Sequence, residues 1–141
     1  MRRRAAKIRK IFPDAKYGEV IVSRFVNRLM NDGKKSVVEK AIYQSFADLE
    51  NKLQRPAVEI FKEALDKVTP RIEVRSRRIG GATYQIPVEV PPRRGSALAL
   101  KWLKTAIISI KGKDLSHKVS IVILDSLENK GWAVKKREEV F

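Results

Sequence analysis

The sequence contains no cysteine and only one histidine, His117. Without cysteine there is no disulfide framework, no thiolate metal site and no thiol nucleophile. The histidine lies in "LSHKV" and belongs to no His/Asp/Glu cluster with metal-ligand spacing, so we interpret it as a residue on a helix surface. We therefore expect no metal site, no cofactor and no enzymatic activity.

Long apolar runs and a phosphate-binding glycine loop are also missing. The longest apolar stretches, such as "SIVIL", are far shorter than the roughly 20 residues of a membrane span. The basic N-terminus is not followed by an apolar run of signal-peptide length. The stretch "RIGGATYQ" lacks the Lys-Ser/Thr pair of a nucleotide-binding loop and opens a strand rather than a helix. We expect a soluble, single-domain protein.

Acidic residues are scarce relative to basic ones: 16 Asp+Glu stand against 31 Lys+Arg, which gives a net charge of +15. A fold does not need this excess, because like charges repel, but a polyanionic partner such as nucleic acid favours it. Residues 1–16 carry seven basic groups and one acidic group, whereas residues 36–70 are nearly neutral. We interpret 36–70 as scaffold and the basic flanks as the binding surface.

Apolar residues repeat at helical spacing in five segments. The segments are 19–30, 36–53, 57–68, 95–110 and about 115–129, with a sixth beginning in "AVKKREEVF". Ser36 and Glu39 match a capping box, and Gly33 suits a left-handed cap after the first helix. The connections are short and no repeat is visible, so we predict a mainly α-helical bundle of five to six helices in one domain, 1–141.

The segment 71–94, "RIEVRSRRIGGATYQIPVEVPPRR", predicts a β-hairpin that turns at a glycine pair. A two-residue loop would leave apolar residues on both faces of the hairpin. A three-residue loop over 79–81 places Val74 opposite Ile86 and Ile72 opposite Val88. We predict the three-residue loop, because a consistently apolar face normally specifies strand pairing.

This register divides the ribbon, residues 71–90, into an anchoring base and a projecting tip. We expect four apolar residues near the base to pack on the helices: Ile72, Val74, Val88 and Val90. Arg75 and Arg77 then share the opposite face. Arginine guanidiniums pair with phosphates in a forked geometry, and an aromatic side chain such as Tyr84 can stack on exposed bases. The ribbon is therefore predicted to bind nucleic acid.

Four stretches of the chain resemble the family of small-subunit ribosomal protein seven, in its bacterial and organellar form. They are "MRRR", "YGEVIVSRFVNRLMNDGKKS", "PRIEVRSRRIGGATYQIPVEVPPRRGSALALKWL" and "GWAVKKREEV". The resemblance covers nearly the whole chain. It implies a six-helix fold with a protruding antiparallel β-ribbon between the third and fourth helices. It also implies a primary rRNA-binding protein that nucleates assembly of the head, the 3′ major domain, beside neighbouring ribosomal proteins.

The resemblance implies functional residues in four places: the N-terminal arm (1–16), the loop between the first two helices, the ribbon, and the fourth helix. The implied rRNA-binding residues are Arg2, Arg3, Arg4, Lys7, Arg9, Lys10, Lys34, Lys35, Arg71, Arg75, Arg77, Arg78, Arg93, Arg94 and Lys101. The ribbon tip is implied to lie near exit-site tRNA and the mRNA exit path. The tip residues are Arg78, Gly80, Gly81, Ala82 and Tyr84.

Two departures from the family pattern limit what is carried over. Bacterial members usually continue beyond "KKREEV" in a longer basic helix, whereas this sequence stops at Phe141, so contacts of that tail are not assigned. The region 105–124 is richer in isoleucine than expected. This suggests a divergent lineage, a contact with another ribosomal protein, or simply a more aliphatic core. The expected location is the ribosome, in the bacterial cytoplasm or an organelle matrix, without homo-oligomers.

Two other binding functions fit the composition. An architectural DNA-bending protein also combines helices with a basic β-ribbon, and it is the main alternative. The basic residues here are spread over arm, loop, ribbon and helix, which suits a folded RNA better than a duplex. A membrane-surface protein is less compatible, because the apolar helix faces are needed for the core.

Overall fold

The computed structural model describes residues 3–6, 10–14, 16–30 and 33–140. In this part of the chain, six helices surround one core and a two-stranded antiparallel ribbon extends between the third and fourth helices. The elements are α1 (Val20–Leu29), α2 (Lys35–Leu53), α3 (Ala57–Val68), β1 (Ile72–Ile79), β2 (Ala82–Glu89), α4 (Pro92–Ser109), α5 (Leu115–Leu127) and α6 (Trp132–Val140). The predicted mainly α-helical fold is confirmed.

Three phenylalanines from three helices form the centre of the core. The rings of Phe25 and Phe61 stack with centroids 4.9 Å apart, and Phe46 packs on Phe61 at 5.5 Å. All three side chains are fully buried. Phe25 and Phe61 lie within the apolar stripes of α1 and α3, so burial of aromatic surface joins these helices to α2.

Two residues predicted to mark helix ends do not lie at those ends in the structure. Helix α2 begins at Lys35 with Lys34 as its N-cap, and no side chain caps it, so the capping box of Ser36 and Glu39 is wrong. Ser36 already lies inside the helix and cannot act as the cap. Gly33 does have a positive φ of 75°, but α1 ends before it with Met30 in an extended conformation. Gly33 therefore belongs to the connection and not to the helix terminus.

The connection from the arm to α1 is organised around the carboxylate of Asp14. This carboxylate accepts hydrogen bonds from the backbone N–H groups of Lys16 (3.1 Å), Tyr17 (2.8 Å) and Glu19 (2.9 Å). The Tyr43 hydroxyl of α2 donates a fourth bond, at 3.3 Å. Burial is the main cause that raises the pKa of the Tyr43 phenol, and the negative charge of Asp14 raises it further. The phenol therefore stays protonated and can donate this bond. The point where the arm joins the bundle is thus fixed.

The isoleucine-rich region 105–124 covers the end of α4 and most of α5. Its buried members are Ala106, Ile107, Val119, Val122 and Ile123. Only Ile108, 60% exposed, stands out as a large apolar residue on the surface of this described region. These five residues contribute to the core, in agreement with the interpretation of a more aliphatic core. Among the residues that the structure describes, no helix is long and apolar enough to cross a bilayer.

Candidate nucleic-acid interface

The ribbon turns through a two-residue loop of Gly80 and Gly81, and Val74 pairs with Pro87. The predicted three-residue loop, which paired Val74 with Ile86, is wrong. Both glycines have positive φ values, 58° and 85°, as a type I′ hairpin turn requires, and this turn matches the twist of the strands. Because the ribbon buries very little surface, no apolar face overrides the preference of the turn.

The ribbon is exposed almost to its base. Ile72, Val74 and Val88 are 39%, 43% and 37% exposed, so the predicted apolar anchoring face does not exist. Of the four residues expected to anchor the ribbon, Val90 alone is buried, at 7% exposure, and it follows β2. Tyr84 near the tip is 53% exposed, as expected for a projecting tip. The ribbon must therefore be held by contacts other than apolar burial of its strands.

One such contact is a buried carboxylate, Glu73, which binds two arginines. Its Oε1 accepts bonds from Nε (3.1 Å) and Nη2 (3.0 Å) of Arg75, within the same strand. Arg94 in the first turns of α4 donates from Nε to Oε1 at 2.9 Å and from Nη2 to Oε2 at 3.1 Å. The hydrogen bonds from Arg94 lower the pKa of Glu73 most, those from Arg75 add to this, and partial burial opposes both.

The same junction contains a close backbone approach at Gly95 of α4. A Cβ atom on Gly95 would lie 3.1 Å from Cγ2 of Thr69 and 3.3 Å from the carbonyl oxygen of Pro70. Beside it, the N–H of Val90 donates to the carbonyl of Arg71 at 2.8 Å. The glycine thus lets α4 pack directly on the chain that leads from α3 into the ribbon.

A cleft of about 640 Å³, which we call the arginine cleft, lies between the arm, α1 and α4. Arg24 and Arg28 of α1 and Arg93 of α4 line it, together with Asn27 and the apolar Ile11. Of the three arginines, sequence analysis identified Arg93 alone. The missed signal is the spacing of Arg24 and Arg28, since like charges four residues apart destabilise a helix unless an anion neutralises them. Three guanidiniums around a concave surface can bind phosphate groups.

The structure brings three of the predicted residues together at the first turn of α4. Arg93 faces the arginine cleft, and its neighbour Arg94 joins Arg75 through Glu73, so the first turn of α4 connects the cleft to the ribbon base. Lys34 is exposed beside α2, and Lys35 forms an exposed ion pair with Glu39. The remaining predicted residues with described side chains are exposed: Arg3, Arg4, Lys10, Arg71, Arg78, Lys101, Gly80, Gly81, Ala82 and Tyr84.

Some predictions fall outside this description. Arg2, Lys7 and Arg9 lie outside the described residues. In the strand register, Arg77 pairs with Tyr84.

Comparison with known proteins identifies the family. The family described as "Ribosomal protein S7p/S5e" matches residues 1–141. The chain belongs to this family. Among its relatives is the small ribosomal subunit protein uS7 of Ruegeria pomeroyi, 49% identical over 138 residues, which cover 98% of this chain and 88% of the relative. The protein of the same name from Petrotoga mobilis is 46% identical over 140 residues, 99% and 90% of the two chains.

Membership in the S7p/S5e family makes the chain a structural protein of the small ribosomal subunit and not an enzyme. The resemblance found from the sequence motifs is therefore confirmed. Within the described part of the chain, no group of three or more His, Asp or Glu side chains could hold a metal ion. His117 is an exposed residue of α5, with Nδ1 3.8 Å from the Asp114 carboxylate.

Proposed function

We propose that the chain is a primary rRNA-binding protein that nucleates assembly of the 3′ major domain, the head of the small subunit. The arginine cleft carries this proposal, because it places three guanidiniums around a concave surface next to the ribbon base. The relatives described above come from bacteria, which supports the bacterial cytoplasm over an organelle matrix as the compartment.

Binding to a folded RNA would use several faces of the protein at once. The cleft accepts phosphates from one RNA segment, and the exposed arginines at the ribbon base, Arg71 and Arg75, contact a second. The exposed Lys34 and Lys35 lie at the start of α2 and reach a third. Phosphate contacts orient the protein and the concave shape selects the RNA fold, which is how RNA without accessible major-groove edges is recognised.

The ribbon tip supports a second role, near exit-site tRNA and the mRNA path. The turn at Gly80 and Gly81 is exposed, as are Arg78 and Tyr84, and no helix of the described chain covers them. An exposed arginine and an exposed aromatic ring can contact a single-stranded or loop nucleotide. The tip therefore remains accessible while the base is bound.

The first experiment measures affinity for an rRNA fragment of the 3′ major domain over a range of salt concentrations. Replacing Arg24 and Arg28 by glutamine should weaken binding about tenfold or more and reduce the salt slope by about one to two. The matched control replaces Lys40 and Lys52 by glutamine and therefore removes the same charge. Both lysines are exposed on α2, within the segment interpreted as scaffold. The control should change affinity less than about twofold, since distant charges are screened.

Equal losses of affinity in the two double variants would show that only net charge matters and would contradict a defined interface.

Duplex DNA at the same salt concentration tests the DNA-bending alternative. Equal affinity of the wild-type chain for duplex and rRNA would overturn the ribosomal proposal.

The second experiment shortens the ribbon while keeping its register. Deleting residues 78–79 and 82–83 removes one pair from each face and retains the Gly80-Gly81 turn. rRNA affinity should stay within about twofold, because the base contacts remain, whereas exit-site tRNA occupancy of reconstituted subunits should fall. Loss of rRNA binding on shortening would refute the division of the ribbon into base and tip.

A further inference from the structure

Glu73 is an acidic residue in the middle of the proposed rRNA-binding surface, where a negative charge should repel RNA. Its side chain is only 11% exposed, whereas those of Arg75 and Arg94, which it binds, are 58% and 50% exposed. We propose that Glu73 is a positioning residue that holds these two arginines as a preformed pair for RNA phosphate. This inference rests on the proposed rRNA-binding function.

The pattern of hydrogen bonds leaves the arginines able to bind a second anion. Each guanidinium uses Nε and Nη2 for Glu73, and its Nη1 amino group is not engaged by that carboxylate. Guanidiniums carry five N–H donors, so both retain donors for a phosphate on the exposed side. The carboxylate lies beneath them, and an incoming phosphate adds to the pair without displacing it.

Positioning helps because free arginine side chains have many rotamers. Ordering a long side chain on binding opposes association, and a side chain that is already ordered avoids this. Glu73 belongs to β1 and Arg94 to α4, 21 residues apart. The same contact therefore orients the whole ribbon base relative to the arginine cleft, where Arg93 is the adjacent residue.

Positioning and simple electrostatics predict opposite results for one substitution. Glu73→Gln keeps the shape of the side chain but raises the net charge by one, so charge alone predicts tighter RNA binding. If Glu73 positions the arginines, the variant binds more weakly. Glu89→Gln is the matched control, since Glu89 is an exposed residue at the same end of the ribbon, paired with Ile72 in the register.

The experiment measures binding of the full chain to the same rRNA fragment at several salt concentrations. We expect Glu73→Gln to bind about fivefold to tenfold more weakly with a salt slope lower by about one, and Glu89→Gln to bind as tightly as wild type or up to about twofold tighter. Binding of Glu73→Gln that equals or exceeds that of Glu89→Gln would overturn the inference.

A second variant keeps the inference testable if Glu73→Gln folds poorly by circular dichroism. Arg94→Lys preserves the charge but loses the forked contact, so it should weaken binding to a similar degree. Adding Glu73→Gln to Arg94→Lys should then cause a smaller loss than Glu73→Gln causes in the wild type, since only the Arg75 contact remains to be removed, whereas fully additive losses would contradict a shared contact. Wild-type chain that prefers duplex DNA overturns the proposed function, while the ratio of the Glu73 and Glu89 variants still decides the role of Glu73.

Discussion

The helical bundle and the ribbon are held together by different kinds of interaction. In the bundle, apolar side chains such as Phe25, Phe46 and Phe61 are fully buried, so the hydrophobic effect determines which residues face inward. In the ribbon, Glu73 is the only strand residue with a described side chain that is buried, and it is charged. Turn geometry, backbone pairing and one carboxylate therefore replace a core.

This difference indicates how each region tolerates change. Truncating a buried side chain of the bundle disturbs close packing, so the loss of stability affects the whole domain. Apart from Glu73, a ribbon residue with a described side chain contacts mostly solvent, so its loss remains local. The bundle should behave as one cooperative unit and the ribbon as a separate region of lower stability.

The largest expected effect is on the bundle. Phe61→Ala removes the ring that contacts both other core phenylalanines, and the cavity should lower the free energy of unfolding by about 3–5 kcal/mol. Tyr84→Ala removes an aromatic ring of the exposed ribbon and should change it by less than about 0.5 kcal/mol. Urea denaturation followed by circular dichroism measures both. Similar losses in the two variants would eliminate the distinction between bundle and ribbon.

An intermediate effect is expected at the turn. Gly81→Val places a β-branched residue at a φ of 85°, which should destabilise the ribbon by about 1–3 kcal/mol. Amide hydrogen exchange should accelerate in β1 and β2 and remain unchanged in α3. Gly80→Asn is the control, because asparagine before glycine favours the same turn type. A pattern of cross-strand NMR contacts that places Val74 directly opposite Ile86 and not Pro87 would contradict the observed register.

The smallest effect concerns pH at the ribbon base. The pKa of Glu73 is lowered in the folded chain, so its contribution to stability is present above the ordinary value of 4.5 and is lost as pH falls through the lower, folded value. The protection factors of the ribbon amides, which are corrected for the intrinsic pH dependence of hydrogen exchange, should therefore fall in acid before the bundle unfolds. Glu73→Gln should abolish this dependence, and an unchanged acid response in that variant would assign it to other groups.

The sequence specified the bundle well because periodicity reports burial. Helix α3 begins at Ala57 and ends at Val68, as predicted, since its apolar stripe is continuous and prolines flank it. In α2 the sequence alone does not distinguish Val37 from Val38, whereas in the structure Val37 is 61% exposed and Val38 is buried. Two adjacent valines fit almost the same stripe, and only packing against the other helices selects one of them.

The ribbon and its base could be predicted only in part. The hairpin and its glycine turn were evident from the sequence. The predicted strand register was wrong because it required a buried apolar face, which the ribbon does not have. Glu73 was not among the predicted site residues, because nothing local connects it to Arg94, 21 residues away. Likewise, Arg24 and Arg93 meet only because α1 and α4 pack together.

The shape of the ribbon has a mechanical consequence. Strands of eight residues extend for roughly 26 Å from the bundle, and Glu73 lies near their inner end. A rotation of about 5° at this pivot displaces the far end by roughly 2 Å, about the difference between a hydrogen bond and no contact. This geometry gives the ribbon the property of a lever, because a small rotation at its base beside α4 displaces the tip by a larger distance.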